Sequence, residues 1–194
     1  MPPEAHGPYY EISVYETGRV ATRPGSLHDW FNALAWLAFP RTKARINAMH
    51  AAAIPAERGR RGRLRDLLTL LDEGGAMVVC DDARLNALAQ ARDWKALYWD
   101  NRPAVAASMR FQVLGHAVLE KALDPWPGIT CKAIFVPQQG DPDVHAAKWL
   151  RALPADATPR ELVAVPVFGY PGWLPESARP DLYEDARFFR GARA

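Results

Sequence analysis

Three polar side chains able to bind a ligand recur along PRTKARINAMH: Lys43, Asn47 and His50. Spacings of four and then three residues put them on one face of a helix. A cation, an amide and an imidazole in one row can hold a phosphate or a carboxylate. Pro40 suits the first turn of that helix. It sets the helix N-terminus beside Arg41 and Lys43, where backbone N–H groups and the helix dipole favour an anion. Just upstream, Asn32 interrupts the apolar run DWFNALAWLAF. A buried amide left without a partner costs about 1–3 kcal/mol. Asn32 is therefore expected to reach into the same site or to bond a carbonyl at the helix corner. Asn32, Arg41, Lys43, Asn47 and His50 are the expected ligand-binding residues, although a solvated helix face would carry the same row.

A second pair lies in LGHAVLEKAL, where His116 and Glu120 stand four residues apart. On a helix the carboxylate would sit beside the imidazole and raise its basicity for general-base work. These two are the expected catalytic residues, and a structural hydrogen-bonded pair is the alternative. Two ligands do not make a metal site, and no His-Glu-x-x-His or Cys-x-x-Cys motif is present. No metal is expected and no cofactor is indicated, since phosphate-loop, dinucleotide and Gly-x-Ser-x-Gly signatures are also absent. Asp66 and Asp72 read more simply, as an arginine partner and a turn residue. The segment FGYPGW, 168–173, either displays Tyr170 and Trp173 as a binding rim or plugs the core with them.

The elements that must position these groups follow from punctuation and period. Tyr9–Tyr15 alternates weakly and suggests an edge strand or arm within an N-terminal stretch, 1–25. Ser26 and Asp29 fit a capping box opening a helix to about Ala38, apolar nearly all round and so expected to be buried. Phe39-Pro40 separates it from a second helix to about Ala53. PAERGRRGRLR reads as a loop. LLTLL and AMVVC, flanking Gly74-Gly75, read as a hairpin near 67–80. Asp81 or Asp82 can cap a helix over 83–91. From Ser108 to Leu123 either one long helix or a strand bending at Gly115 is possible, with helix from His116 in both cases. ITCKAIFV reads as a buried strand, Asp141-Pro142 opens a helix to about Leu153, and VAVPVF reads as an edge strand, because Pro166 cannot donate to a central ladder. The C-terminal stretch, 175–194, reads as an irregular wrap anchored by Tyr183, Phe188 and Phe189. The fold class expected is a helix-rich α+β single domain with a small sheet.

Composition narrows the function class. With 194 residues, 49% hydrophobic and 24% charged, the chain has ordinary globular values, so a packed core is expected. No window reaches the ~18 apolar residues of a membrane span. The start, MPPEAHGPYYEISVYE, lacks the basic and apolar regions of a secretory signal. Cys80 and Cys131 have no metal-like spacing. Reduced core cysteines and a cytoplasmic location are expected. The net charge is only +2, but Arg41–Arg65 holds eight basic residues against one acid, and Asp66–Asp100 seven acids against three bases. Such a basic segment could contact nucleic acid through phosphates, or the two regions could neutralise one another.

The blocks NALAWLAFPRTKARINAMH, RDLLTLLDEGGA, LGHAVLEKAL, VPVFGYPGW and YEDARFFR, in that order, resemble an uncharacterised bacterial family of unknown function. The likeness covers nearly the whole chain and implies one full-length domain. It carries no reaction, cofactor or catalytic residue. The leading functional expectation is binding or turnover of a small anionic, phosphorylated ligand at the helix corner. The rivals are a nucleic-acid module through 41–65 and a protein-interaction module through 168–173.

Overall fold

The structure is a computed structural model, and it describes residues 9–57 and 61–191. Its first element is a helix, α1, Tyr10–Thr17, ended by Gly18 in the left-handed conformation at φ 65°. The expected edge strand is therefore corrected to a helix: its Tyr, Ile and Val residues suit a strand, but the segment pairs with no strand of the sheet and docks on the helix at 40–53, where Asn47 donates to the Glu11 carbonyl. Val14 is the one buried residue of α1.

Helix α2, Leu27–Ala38, starts where Ser26 accepts a hydrogen bond from the Asp29 N–H at 3.2 Å. Only half of the expected capping box forms. The Asp29 carboxylate turns to Arg23, accepting from its backbone N–H at 2.7 Å and from its guanidinium at 2.8 Å. The helix is also less buried than expected. Leu27, Trp30, Leu34 and Leu37 are exposed, and only Asp29 and Ala35 are buried. A helix apolar all round can offer its core only one stripe.

Helix α3, Pro40–Ala53, begins at the expected proline. Its N-terminus is capped from far away. Asp143 accepts the Arg41 N–H at 2.9 Å and the Thr42 N–H at 2.8 Å.

Residues 63–74 form an amphipathic helix, α4, Arg63–Gly74, which runs straight into strand β1, Gly75–Val79. The hairpin expected near 67–80 does not exist. Leu67, Leu68 and Leu71 are fully buried at helical spacing. Each stabilises by about 1.5–3 kcal/mol. A short apolar run cannot by itself separate helix from strand, and Gly75 is extended at φ −78°, so no turn forms there.

Helix α5, Ala83–Ala91, is capped by Asp82. A π-helical turn over Ala96–Asp100 and helix α6, Arg102–Ser108, lead to strand β2, Arg110–Val113. The chain bends at Gly115 into α7, His116–Lys121. Strand β3, Thr130–Val136, helix α8, Pro142–Ala152, and edge strand β4, Val163–Pro166, complete the regular elements. Short 3-10 turns carry the C-terminal wrap, which Tyr183 and Phe189 anchor in the core.

The four strands order β2-β1-β3-β4, with β1 and β3 parallel and the outer pairs antiparallel. Alternate residues of β1 point to opposite faces. Met77 and Val79 pack with Leu67, Leu68 and Leu71 of α4, Ile46 of α3, and Ala146 and Leu150 of α8. Val78 packs on the other face with Leu85 and Ala89 of α5, Tyr98 and Tyr183. The architecture is α+β with helices on both sheet faces. Among the described residues no helix is long and apolar enough to cross a membrane.

Candidate functional site

Where α2, α3, α4 and α7 meet, beside α1, they leave a cavity of about 350 Å³. Of the expected residues, Asn32, Lys43, Asn47, His50 and His116 all line it. Arg41 does not. It is exposed and pairs with Asp141 at 3.0 Å. The anion expected at the α3 N-terminus is the protein's own Asp143 carboxylate.

The Lys43–Asn47–His50 row is partly committed to neighbours. Lys43, 2% exposed, donates to Asp72 at 2.5 Å and to Asn32 at 2.8 Å, with Trp36 beneath it. Asn32 in turn donates to the Tyr10 hydroxyl at 3.2 Å, which accounts for the amide in an apolar helix. Asn47 donates to the Glu11 carbonyl at 2.8 Å, pinning α1 onto α3.

His50 is different. Its Nδ1 accepts from the Arg65 guanidinium at 3.1 Å, so the neutral ring carries its proton on Nε2. Burial pushes its pKa down to about 4, so the ring is neutral at pH 7. Among the described residues nothing accepts from Nε2, which leaves this donor to the cavity. Arg65 is itself buried, held between Glu57 and Glu11 at 3.0 Å each.

At the other end of the cavity, Gly115 lets α7 approach the α4–β1 junction. A Cβ there would lie 2.5 Å from the Gly75 nitrogen and 2.6 Å from the Glu73 carbonyl oxygen. This close approach carries His116, 3% exposed, to the end of α4. Its Nδ1–H donates to the Asp72 carbonyl at 3.0 Å, and its Nε2 lies 3.1 Å from His28 Nε2 and 3.4 Å from Glu73 Oε2. In its protonated form His116 hydrogen-bonds the Glu73 carboxylate and lowers that carboxyl's pKa. Glu120 does not orient His116. Its carboxylate accepts from His28 Nδ1 at 3.1 Å. Among the described residues, His28, Glu73 and His116 form a group that could hold a metal ion, their ligand atoms lying within 4.8 Å of one another.

Sequence reasoning missed His28 because it sits inside a capping sequence, and Glu73 because the mistaken hairpin made it a turn residue. The signal available was the helical spacing of Leu67, Leu68 and Leu71, which puts Asp72 and Glu73 at a helix end.

Among the described residues, Arg41, Lys43, Arg61 and Arg65 of the basic segment are held in ion pairs. Arg61 pairs with Asp66 at 3.1 Å, and Arg65 is buried. Arg58 and Arg60 lie outside the described residues. In the aromatic segment, the Tyr170 hydroxyl donates to the Met109 carbonyl at 2.8 Å, and Trp173 packs on Phe111 and Phe168. Cys80 and Cys131 are free and buried.

No curated protein and no solved structure matches the chain. The model of one family, described as a protein of unknown function (DUF3025), matches residues 2–193. Spanning nearly the whole of its length, that match makes the chain a member of the DUF3025 family.

Proposed function

We infer that the protein binds a small anionic, phosphorylated ligand in this cavity, and that the histidines at its far end give it the groups to turn that ligand over. The observation that supports this reading best is His50. Arg65 fixes the ring as a neutral Nε2–H donor in a polar cavity, a group suited to a phosphoryl or carboxylate oxygen. Arg23 and Arg61 stand at the rim with side chains 68% and 43% exposed. A guanidinium has five N–H donors, so each keeps some beyond those given to Asp29 and Asp66. His28 and His116 place two imidazoles in the cavity wall, the side chain that most often serves proton transfer or metal binding. Two free buried cysteines fit the reducing cytoplasm of a bacterium.

The test is thermal unfolding against a panel of inorganic phosphate, pyrophosphate, sugar phosphates and small carboxylates, with and without added divalent ions. A ligand at a hundredfold its Kd adds about 2.7 kcal/mol, a rise of roughly 5–11 °C for a domain of this size. His50→Ala should reduce that rise. A flat response across the panel in both conditions sinks the reading.

A further inference from the structure

We propose that His28 Nε2, Glu73 Oε2 and His116 Nε2 form a binding site for one divalent transition-metal ion, with zinc, cobalt and iron(II) the chemical class it fits. The inference rests on the cavity being the ligand site, because the ion would lie in its wall.

Both ring tautomers are set from outside. The Asp72 carbonyl can only accept, so His116 Nδ1 carries the proton. Glu120 is a carboxylate, so His28 Nδ1 donates to it. In the neutral rings both Nε2 atoms are then bare lone pairs, and they face each other at 3.1 Å. Two acceptors at that distance repel unless a cation stands between them. A carboxylate oxygen completes the triangle, 3.4 Å from one nitrogen and 4.0 Å from the other. The point equidistant from these three atoms lies about 2.1 Å from each, which matches zinc–imidazole and zinc–carboxylate bond lengths of roughly 2.0–2.2 Å.

The surroundings fit as well. Carboxylate or carbonyl partners on the distal nitrogens are the usual support of metal-binding histidines, and Glu120 and Asp72 supply one of each. The ligands come from three separate helices, so the fold itself assembles the triangle. Two imidazoles and one carboxylate suit zinc, cobalt or iron(II) rather than magnesium or calcium. Three protein ligands leave a coordination position open, the pattern of a catalytic rather than a structural ion. His28 and Glu73 have side chains 37% and 43% exposed, so an ion has a route in. Finally, the cavity lining carries four carboxylates, Glu11, Asp29, Asp72 and Glu73, against Arg23, Lys43 and Arg61. A dication reverses that excess and makes the wall attractive to an anion.

The experiment uses the full chain, stripped with a chelator and titrated with Co²⁺ by calorimetry and d–d absorption. Saturable uptake of one equivalent is expected. His28→Ala and Glu73→Gln should abolish it, and Glu120→Gln should weaken it by roughly 10–100-fold. Circular dichroism checks that each variant is folded, and the half-exposed side chains of His28 and Glu120 make those two tolerant positions. No saturable uptake by the native chain overturns the proposal, as does uptake that His28→Ala and Glu73→Gln leave unchanged. The rival is a proton shared between the two Nε2 atoms. ¹⁵N NMR showing a protonated Nε2 that added Co²⁺ does not displace would establish it and overturn the ion site. Inorganic phosphate is then added to the stripped and loaded protein. Ion uptake with no phosphate stabilisation in either form upholds the ion site and refutes the ligand reading. Phosphate stabilisation with no ion uptake does the reverse.

Discussion

Replacing Lys43 by Met isolates what its buried charge contributes to the fold. The substitution keeps most of the methylene packing and removes the ammonium. Two groups lose their partner at once. The Asp72 carboxylate loses a donor at 2.5 Å and the Asn32 carbonyl one at 2.8 Å. Removing one member of a fully buried ion pair costs about 3–5 kcal/mol, because the other charge stays behind. Asp72 has a side chain 24% exposed, so water recovers part of that loss, and about 2–4 kcal/mol is expected. For a chain of this length that is a fall in Tm of roughly 4–16 °C. The double variant Lys43→Met/Asp72→Asn leaves no charge stranded. It should recover about 1–2 kcal/mol relative to the sum of the single changes. Urea and thermal unfolding of the four proteins, in chelator so that no ion contributes, measures the cycle. If Lys43→Met unfolds within about 0.5 kcal/mol of the native chain, or the double variant equals the sum, the pair does not hold the α2–α3–α4 corner. Lys43 would then be free for a ligand.

Three other outcomes follow from the same geometry. His50 has a folded pKa of about 4 against 6.5 in the unfolded chain. The unfolded state therefore binds more protons between those values, and stability present above pH 6.5 is lost as pH falls towards 4. The loss is of order 3 kcal/mol, with Glu11 and Asp72 opposing it and burial, Arg65 and Arg61 driving it. Urea unfolding at pH 7 and 4.5 should show a drop that His50→Gln flattens. Gly115→Ala places a Cβ against backbone of residues 73–75. It should cost more than about 2 kcal/mol, and separation of His116 from the Asp72 carbonyl should show as weaker Co²⁺ uptake. Asp143→Ala uncaps α3 and should lower stability by about 1–2 kcal/mol, read by thermal unfolding, without changing Co²⁺ uptake.

What could be read from the sequence is uneven, and the reasons are physical. Pro40 and Asp141-Pro142 each impose a local constraint strong enough to fix an element boundary, and both hold; at Gly115 one long helix or a bend were equally open, and its close approach to residues 73–75 decides for the bend. Pro166 places its strand at a sheet edge for the same kind of reason, its missing donor. LLTLL imposes no such constraint. Its leucines suit a strand or a helix face equally, and only the packing of Leu67, Leu68 and Leu71 under β1 and β3 decides. The site suffered from this directly. Five expected residues do line one cavity, but their partners come from 11 to 88 residues away, which no local spacing reveals. Asp143 taking the α3 N-terminus is the sharpest case: the free N–H groups there do draw an anion, and it is a side chain about a hundred positions along.

The end of α4 ties the two halves of the cavity together. A helix C-terminus carries partial negative charge on its free carbonyls, and this one adds Asp72 and Glu73 in adjacent positions. Neighbours in a helix point about 100° apart, and the two carboxylates meet His116 at different ring nitrogens, Asp72 3.8 Å from Nδ1 and Glu73 3.4 Å from Nε2. Asp72 turns to Lys43 and stabilises the corner, while its carbonyl holds the His116 tautomer. Glu73 turns to the imidazole pair. A negative helix end with one carboxylate already neutralised by lysine still presents a full charge to the histidines. The electrostatics there favour a cation more strongly than either imidazole alone would. Glu73→Gln therefore separates the two roles: it should leave the Lys43–Asp72 contribution to stability intact and remove the attraction for the ion.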